Sequence, residues 1–103
     1  MIQNRFIPFS KYPRVKRDLS FVVPFSITHQ MVERLFVGAA GEHYAGSDLI
    51  SIYEIRDLWH SITWRVYFQS QDRTLTDAEV NEAEGRIVTD VREKLGVKLR
   101  SES

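Results

Sequence analysis

Between Asp18 and Val23 apolar and polar positions alternate, with Leu19, Phe21 and Val23 on one side and Ser20 and Val22 on the other. A period of two predicts a strand, and Pro24 ends it. From Thr28 the spacing changes to steps of three and four: Met31, Val32, Leu35, Phe36 and Ala39 recur until Gly41, a helical stripe with Thr28 placed to cap it. After Gly46, Leu49, Ser51, Tyr53 and Ile55 alternate with Ile50, Ile52, Glu54 and Arg56, a mixed pattern that suits a strand near a sheet edge. A short connection over residues 57–60 follows. Ile62, Trp64, Val66 and Phe68 then alternate with Ser61, Thr63, Arg65, Tyr67 and Gln69, so a third strand has one buried and one wet side. Thr76-Asp77-Ala78-Glu79 is a capping box. Behind it Val80, Ala83, Ile87, Val91 and Leu95 form the buried stripe of a second helix, Glu82 with Arg86 and Asp90 with Lys94 pair on its outside, and Gly96 stops it. Val97 and Leu99 alternate with Lys98 and Arg100 as a last short strand.

Strand, helix, strand, strand, helix, strand is the order of a ferredoxin-like α+β sandwich (βαββαβ). Two right-handed crossovers set both helices on one face of a four-stranded antiparallel sheet. The other face is left open. Uninterrupted alternation assigns to it Ser20 and Val22, then Ile52, Glu54 and Arg56, then Ser61, Thr63, Arg65, Tyr67 and Gln69, with Lys98 and Arg100 at the end. Arg and Tyr on an open sheet can stack on and hydrogen-bond to single-stranded RNA bases. Strand propensity alone also puts Thr, Arg and Tyr on solvated sheet faces.

Charge refines this picture. Fourteen basic and fourteen acidic residues cancel, yet residues 1–17 hold Arg5, Lys11, Arg14, Lys16 and Arg17 and no acid, whereas the second helix is acidic. A basic arm opposite an acidic helix steers a polyanion to one side; a solvated arm and a solvated helix face account for the same distribution. The expected divisions are an arm over 1–17, the sandwich over 18–100 and a tail over 101–103.

Composition excludes several classes. At 103 residues the chain has room for one core. There is no Cys, hence no disulfide, thiolate metal site or thiol catalysis. No apolar run is long enough for a membrane span or a signal-peptide core, so a soluble protein is expected. His29, His43 and His60 are scattered without the spacing of a metal site. No acid-base couple stands out among the helix carboxylates, and Pro24-Phe25-Ser26-Ile27 lacks the Arg and Gly needed to cradle phosphate. No catalytic or metal-binding residue is assigned.

Across Phe6 to Arg100 the motif order resembles the ferredoxin-fold anticodon-binding domain of phenylalanine–tRNA ligases: Phe9-Ser-Lys-Tyr-Pro13, Arg17-Asp18 opening the first strand, Asp72-Arg-Thr-Leu75 after the third, and Thr76-Asp-Ala-Glu-Val80 opening the second helix. The lead-in looks more like the organellar form. The resemblance implies a module that grips the anticodon of phenylalanine tRNA with its sheet face, supporting phenylalanyl-tRNA formation by a parent ligase. It further implies no cofactor in this domain, with ATP and Mg confined to a parent synthetase. Implied partners are tRNA and the catalytic part of the ligase, with no membrane, in the cytoplasm or the mitochondrial matrix.

Carried over by position, the family's small first-strand residue corresponds to Ser20, its acidic second-strand residue to Glu54 and its third-strand serine to Ser61. The aromatic residue expected two positions after the acid is Arg56, whose guanidinium plane can stack on a base. The following loop is shorter than in the family and lacks its Gly, Pro and Lys. Arg65 and Tyr67 complete the sheet candidates, and Arg14 and Lys16 are candidate phosphate contacts. Arg17 and Arg73, next to Asp18 and Asp72, read better as strand-end ion pairs than as RNA contacts. The alternative reading is a ferredoxin-like interaction module that has lost RNA binding and pairs with protein through its open sheet or second-strand edge.

Overall fold

The computed structural model describes residues 12–96 and the backbone of Lys98 and Leu99. Most of the basic arm, the side chains of Lys98 and Leu99, Arg100 and the tail lie outside the described residues. The elements run β1 (Val15–Pro24), α1 (His29–Ala40), a single 3₁₀ turn (Gly41–His43), β2 (Tyr44–Arg56), β3 (Trp59–Phe68) and α2 (Asp77–Leu95). β3 lies between β2 and β1, antiparallel to both. Beyond α2, Lys98 and Leu99 pair antiparallel with Val22 and Phe21 on the outer side of β1, a two-residue contact that we label β4.

β1 begins three residues before the strand read from sequence, because Val15, Lys16 and Arg17 pair with Phe68, Tyr67 and Val66. Its alternation places Leu19, Phe21 and Val23 in the core beside Ile62, Trp64, Val66 and Phe68. Val32, Phe36, Ala39 and Ala40 of α1 and Val80, Ala83, Ile87 and Val91 of α2 close over this face, so both helices share one layer. Trp64 is fully buried at the centre, meeting the rings of Phe21 and Phe36 edge-on at 6.0 and 5.2 Å. Such edge-to-face contacts fix ring orientation beyond the burial itself.

The helix ends follow their sequence signals. Thr28 and Thr76 cap α1 and α2, accepting from the amides of Met31 and Glu79, each at 3.2 Å. The Glu79 carboxylate accepts from the Thr76 amide at 2.9 Å and completes the box. Gly96 adopts φ 67°, the left-handed conformation that ends a helix without a Cβ clash, and donates to the carbonyl of Arg92. Arg86 of α2 donates to the carbonyls of Ala39 and Ala40, both at 2.9 Å, satisfying the otherwise unpaired end of α1 and tying the helices together.

The β2–β3 hairpin departs from its expected form. The connection is only Asp57 and Leu58, both at positive φ (36° and 68°), the backbone sense that lets a two-residue turn match strand twist. β3 therefore starts at Trp59 rather than Ser61. β2 also slips against β3 at three points, between Tyr44 and Ser47, between Leu49 and Ser51 and between Glu54 and Arg56. Each extra residue turns the side chains that follow it to the opposite face.

Candidate nucleic-acid interface

The register decides which side chains share the open face. Lys16, Asp18, Ser20 and Val22 of β1 lie opposite Tyr67, Arg65, Thr63 and Ser61 of β3, and beyond these Asp48, Ser51, Tyr53 and Arg56 of β2 pair with Arg65, Thr63, Ser61 and Trp59. Glu54 is not among them. It pairs with His60, whose ring packs against Phe25 on the helix side and makes a 3.1 Å hydrogen bond to the carbonyl of Ile27. Ile52 likewise pairs with core residue Ile62. The slip after Leu49 moved both off the face on which uninterrupted alternation placed them.

Charge on the open face is organised by β3. Arg65 donates from Nε and Nη2 to the two carboxylate oxygens of Asp18, at 2.9 and 3.2 Å. This bond holds the Asp18 carboxyl below its ordinary range and raises the Arg65 guanidinium. The Tyr67 hydroxyl donates to Asp48 at 2.7 Å, which pushes the phenol up, and the Arg14 guanidinium lies 4.3 Å from the centre of the Tyr67 ring. Ser20 and Thr63 share a 2.6 Å hydroxyl hydrogen bond. The middle of the face is thus internally paired, whereas Arg14 and Lys16 at one end and Arg56 at the other form no close ion pair with a carboxylate among the described residues, Lys16 acting on Asp18 only at longer range. A polyanion would meet free positive charge at the two ends first.

Aromatic surface is concentrated toward the hairpin end, where Tyr53 is 64% exposed and Trp59 45% exposed, flanking Arg56. The sequence pattern singles out neither aromatic, because uninterrupted alternation puts Tyr53 on the other face and Trp59 in a connection. Between them Ser61 is almost completely buried, and its hydroxyl has no hydrogen-bond partner among the described residues. Of the eight residues expected at the site, Ser20, Arg56, Ser61, Arg65 and Tyr67 share the face by register, Arg14 joins it over Tyr67, Lys16 lies opposite Tyr67, and Glu54 stands apart.

Arg17 and Arg73 pair with helix residues rather than with their neighbouring aspartates. Arg17 reaches α2, contacting Asn81 at 2.8 Å and Glu84 at 3.0 Å, from the helix side of β1. Arg73 binds Glu79 at 2.6 Å, and this bond, with the Thr76 amide, lowers the carboxyl to about 2. Among the described residues no group of His, Asp and Glu is arranged to hold a metal. No described helix is long and apolar enough to cross a membrane.

Comparison with known proteins places these features in a wider set. Residues 10–100 match the ferredoxin-fold anticodon binding domain. The chain is 37% identical over 99 residues to the phenylalanine–tRNA ligase beta subunit of Moorella thermoacetica and 35% identical over 102 residues to that of Thermosynechococcus vestitus; each match covers 93% of this chain and 12% of the relative. It is 33% identical over 97 residues to the chloroplastic/mitochondrial phenylalanine–tRNA ligase of Arabidopsis thaliana, covering 93% of this chain and 23% of that one. The chain therefore spans less than a quarter of the length of these relatives.

Proposed function

The chain belongs to the ferredoxin-fold anticodon-binding domain family, and on that premise we propose that it binds the anticodon region of a transfer RNA, phenylalanine tRNA in the first instance, across the open face of its sheet. The observation that supports this reading is the row of exposed aromatic and cationic side chains on that face, with Tyr53, Trp59 and Arg56 at one end and Arg14 and Lys16 at the other. Unpaired anticodon bases would stack on Tyr53 and Trp59, while the cations contact phosphates and fix the strand's position. Ser20 and Thr63 offer hydroxyls to base edges. Arg65 and Tyr67 contribute once RNA competes with Asp18 and Asp48 for them. Ser61 would have to be uncovered before its hydroxyl could act, and Glu54 would read a base only from an RNA segment that wraps the sheet edge.

On this reading the module needs no cofactor of its own. It completes as a four-stranded ferredoxin-like sheet, with the chain beyond Gly96 forming the last strand. A phenylalanine–tRNA ligase would supply the catalytic part, with ATP and Mg, in the cytoplasm or the mitochondrial matrix. The internal pairing of Arg65 and Tyr67 favours a second reading, a sandwich that has given up RNA for a protein partner. Binding of the purified chain to phenylalanine tRNA, to the same tRNA with an altered anticodon and to an unrelated tRNA separates the two. Preference for the intact anticodon supports the first; equal binding of all three, or none, defeats it.

A further inference from the structure

Seven of the nine large apolar side chains exposed among the described residues fall between positions 49 and 59, on β2, the turn that follows it and the first residue of β3. β2 is thirteen residues long and forms the edge of the sheet, with no strand on its outer side among the described residues. Apolar side chains project from both of its faces, Leu49 and Ile52 toward the helix side and Tyr53 toward the open side. A long apolar edge is a template for another strand unless it is blunted. Here three register slips interrupt it, but Ser51–Glu54 between the second and third is regular.

The sequence of this edge is complementary to itself. Asp48 and Arg56 flank the apolar segment, each four residues from Ile52. Antiparallel pairing of two copies about a two-fold axis at Ile52 sets Ile52 against itself and Ser51 against Tyr53; with Ile50 and Ile55 as the extra residues of each copy, Leu49 then meets Glu54 and each Asp48 the other copy's Arg56. Leu49 opposite Glu54 is the one pairing that gains nothing. Parallel pairing in register would instead oppose Asp48 to Asp48 and Arg56 to Arg56, which is unfavourable. Arg56 has no ion pair among the described residues to give up, and a formal net charge of zero leaves no overall repulsion between copies.

We infer that the β2 edge is the interface of a symmetric dimer of this chain, joined strand to strand with Ile52 on the two-fold axis and two Asp48–Arg56 pairs at its ends. Edge-to-edge joining makes one continuous sheet and leaves both open faces uncovered. The dimer does not rest on the RNA reading, although Arg56 and Tyr53 belong to both surfaces.

Sedimentation equilibrium of the chain, from low micromolar to several hundred micromolar, tests the inference. The wild-type chain should dimerise. Asp48→Arg and Arg56→Asp should each weaken association at least about tenfold by creating two like-charge contacts. The double variant should recover it, as should an equimolar mixture of the two single variants. Ile52→Lys, which leaves the Tyr67–Asp48 bond untouched, should give a monomer with unchanged far-ultraviolet circular dichroism. A wild-type chain that stays monomeric overturns the inference, as does a dimer indifferent to Ile52→Lys and Arg56→Asp, which would place the interface elsewhere. Failure of both the double variant and the mixture to recover association would equally overturn it.

Discussion

Asp18 and Arg65 stand directly opposite each other on β1 and β3, and the guanidinium engages both carboxylate oxygens. The fork geometry makes this the best-directed ion pair on the open face, and it masks a cation at the centre of the proposed RNA surface. Asp18→Asn should therefore tighten tRNA binding and steepen its salt dependence, by about one unit in the slope of log affinity against log salt if Arg65 then takes up a phosphate. Fluorescence anisotropy titrations at several salt concentrations measure this. An unchanged slope would place the RNA away from Arg65.

Arg14 and Lys16 should act without regard to sequence. Replacing both with Ala is expected to weaken cognate and non-cognate tRNA alike and to flatten the salt dependence, because phosphate contacts position RNA without reading it. Retention of the wild-type affinity and slope would exclude this end of the face as a contact surface.

Glu54 and Tyr53 are adjacent in sequence but face opposite ways, so their variants separate the two faces. Tyr53→Ala should cost about 1–3 kcal/mol of tRNA binding, the range for one stacked base, with little effect on melting temperature. Glu54→Ala should leave both nearly unchanged. Loss of anticodon preference in Glu54→Ala, with Tyr53→Ala silent, would reverse the assignment of the reading face.

Trp64 is the largest fully buried side chain among the described residues, meeting the rings of Phe21 and Phe36. Trp64→Ala should destabilise the domain by about 3–5 kcal/mol, the usual cost of emptying a large aromatic site. Urea denaturation followed by far-ultraviolet circular dichroism gives the value, and a loss below about 1 kcal/mol would be incompatible with this packing.

Acid stability should depend on Glu79. Its hydrogen bonds from Arg73 and from the Thr76 amide lower its carboxyl to about 2 from an ordinary 4.5. A depressed folded-state value means that the contribution is complete above about pH 4.5 and is lost as pH falls toward 2. Asp18, held down chiefly by Arg65, acts in the same direction below its ordinary 3.8. Glu79→Gln keeps the capping geometry but cannot titrate. The fall in melting temperature between about pH 4.5 and 2 should therefore be shallower in this variant; identical acid limbs would show that the Arg73 contact is not maintained in solution.

Local physical chemistry was enough to read the elements from the chain. Thr28 and Thr76 announce helix starts because a side-chain oxygen one residue ahead of a helix meets its unpaired amides, and Gly96 announces an end because left-handed backbone favours a residue without a Cβ. The alternations around Phe21 and Trp64 fixed which sides of β1 and β3 are buried, and with them the layer that both helices share. That a basic and aromatic face lies opposite followed from the same alternation, so Ser20, Arg65 and Tyr67 could be placed before any coordinates. The faces of β2 could not. A strand's period of two holds only while pairing is regular, and the slips after Leu49 and after Glu54 arise from how β2 and β3 accommodate each other in the folded sheet, leaving no mark in the pattern of residue types. Tertiary structure alone thus moved Glu54 to the helix side, brought Tyr53 and Trp59 onto the open face, and chose Asp18 and Asp48 as the partners of Arg65 and Tyr67. Which carboxylate each of these two side chains meets is decided by neighbours that are 47 and 19 residues apart in sequence.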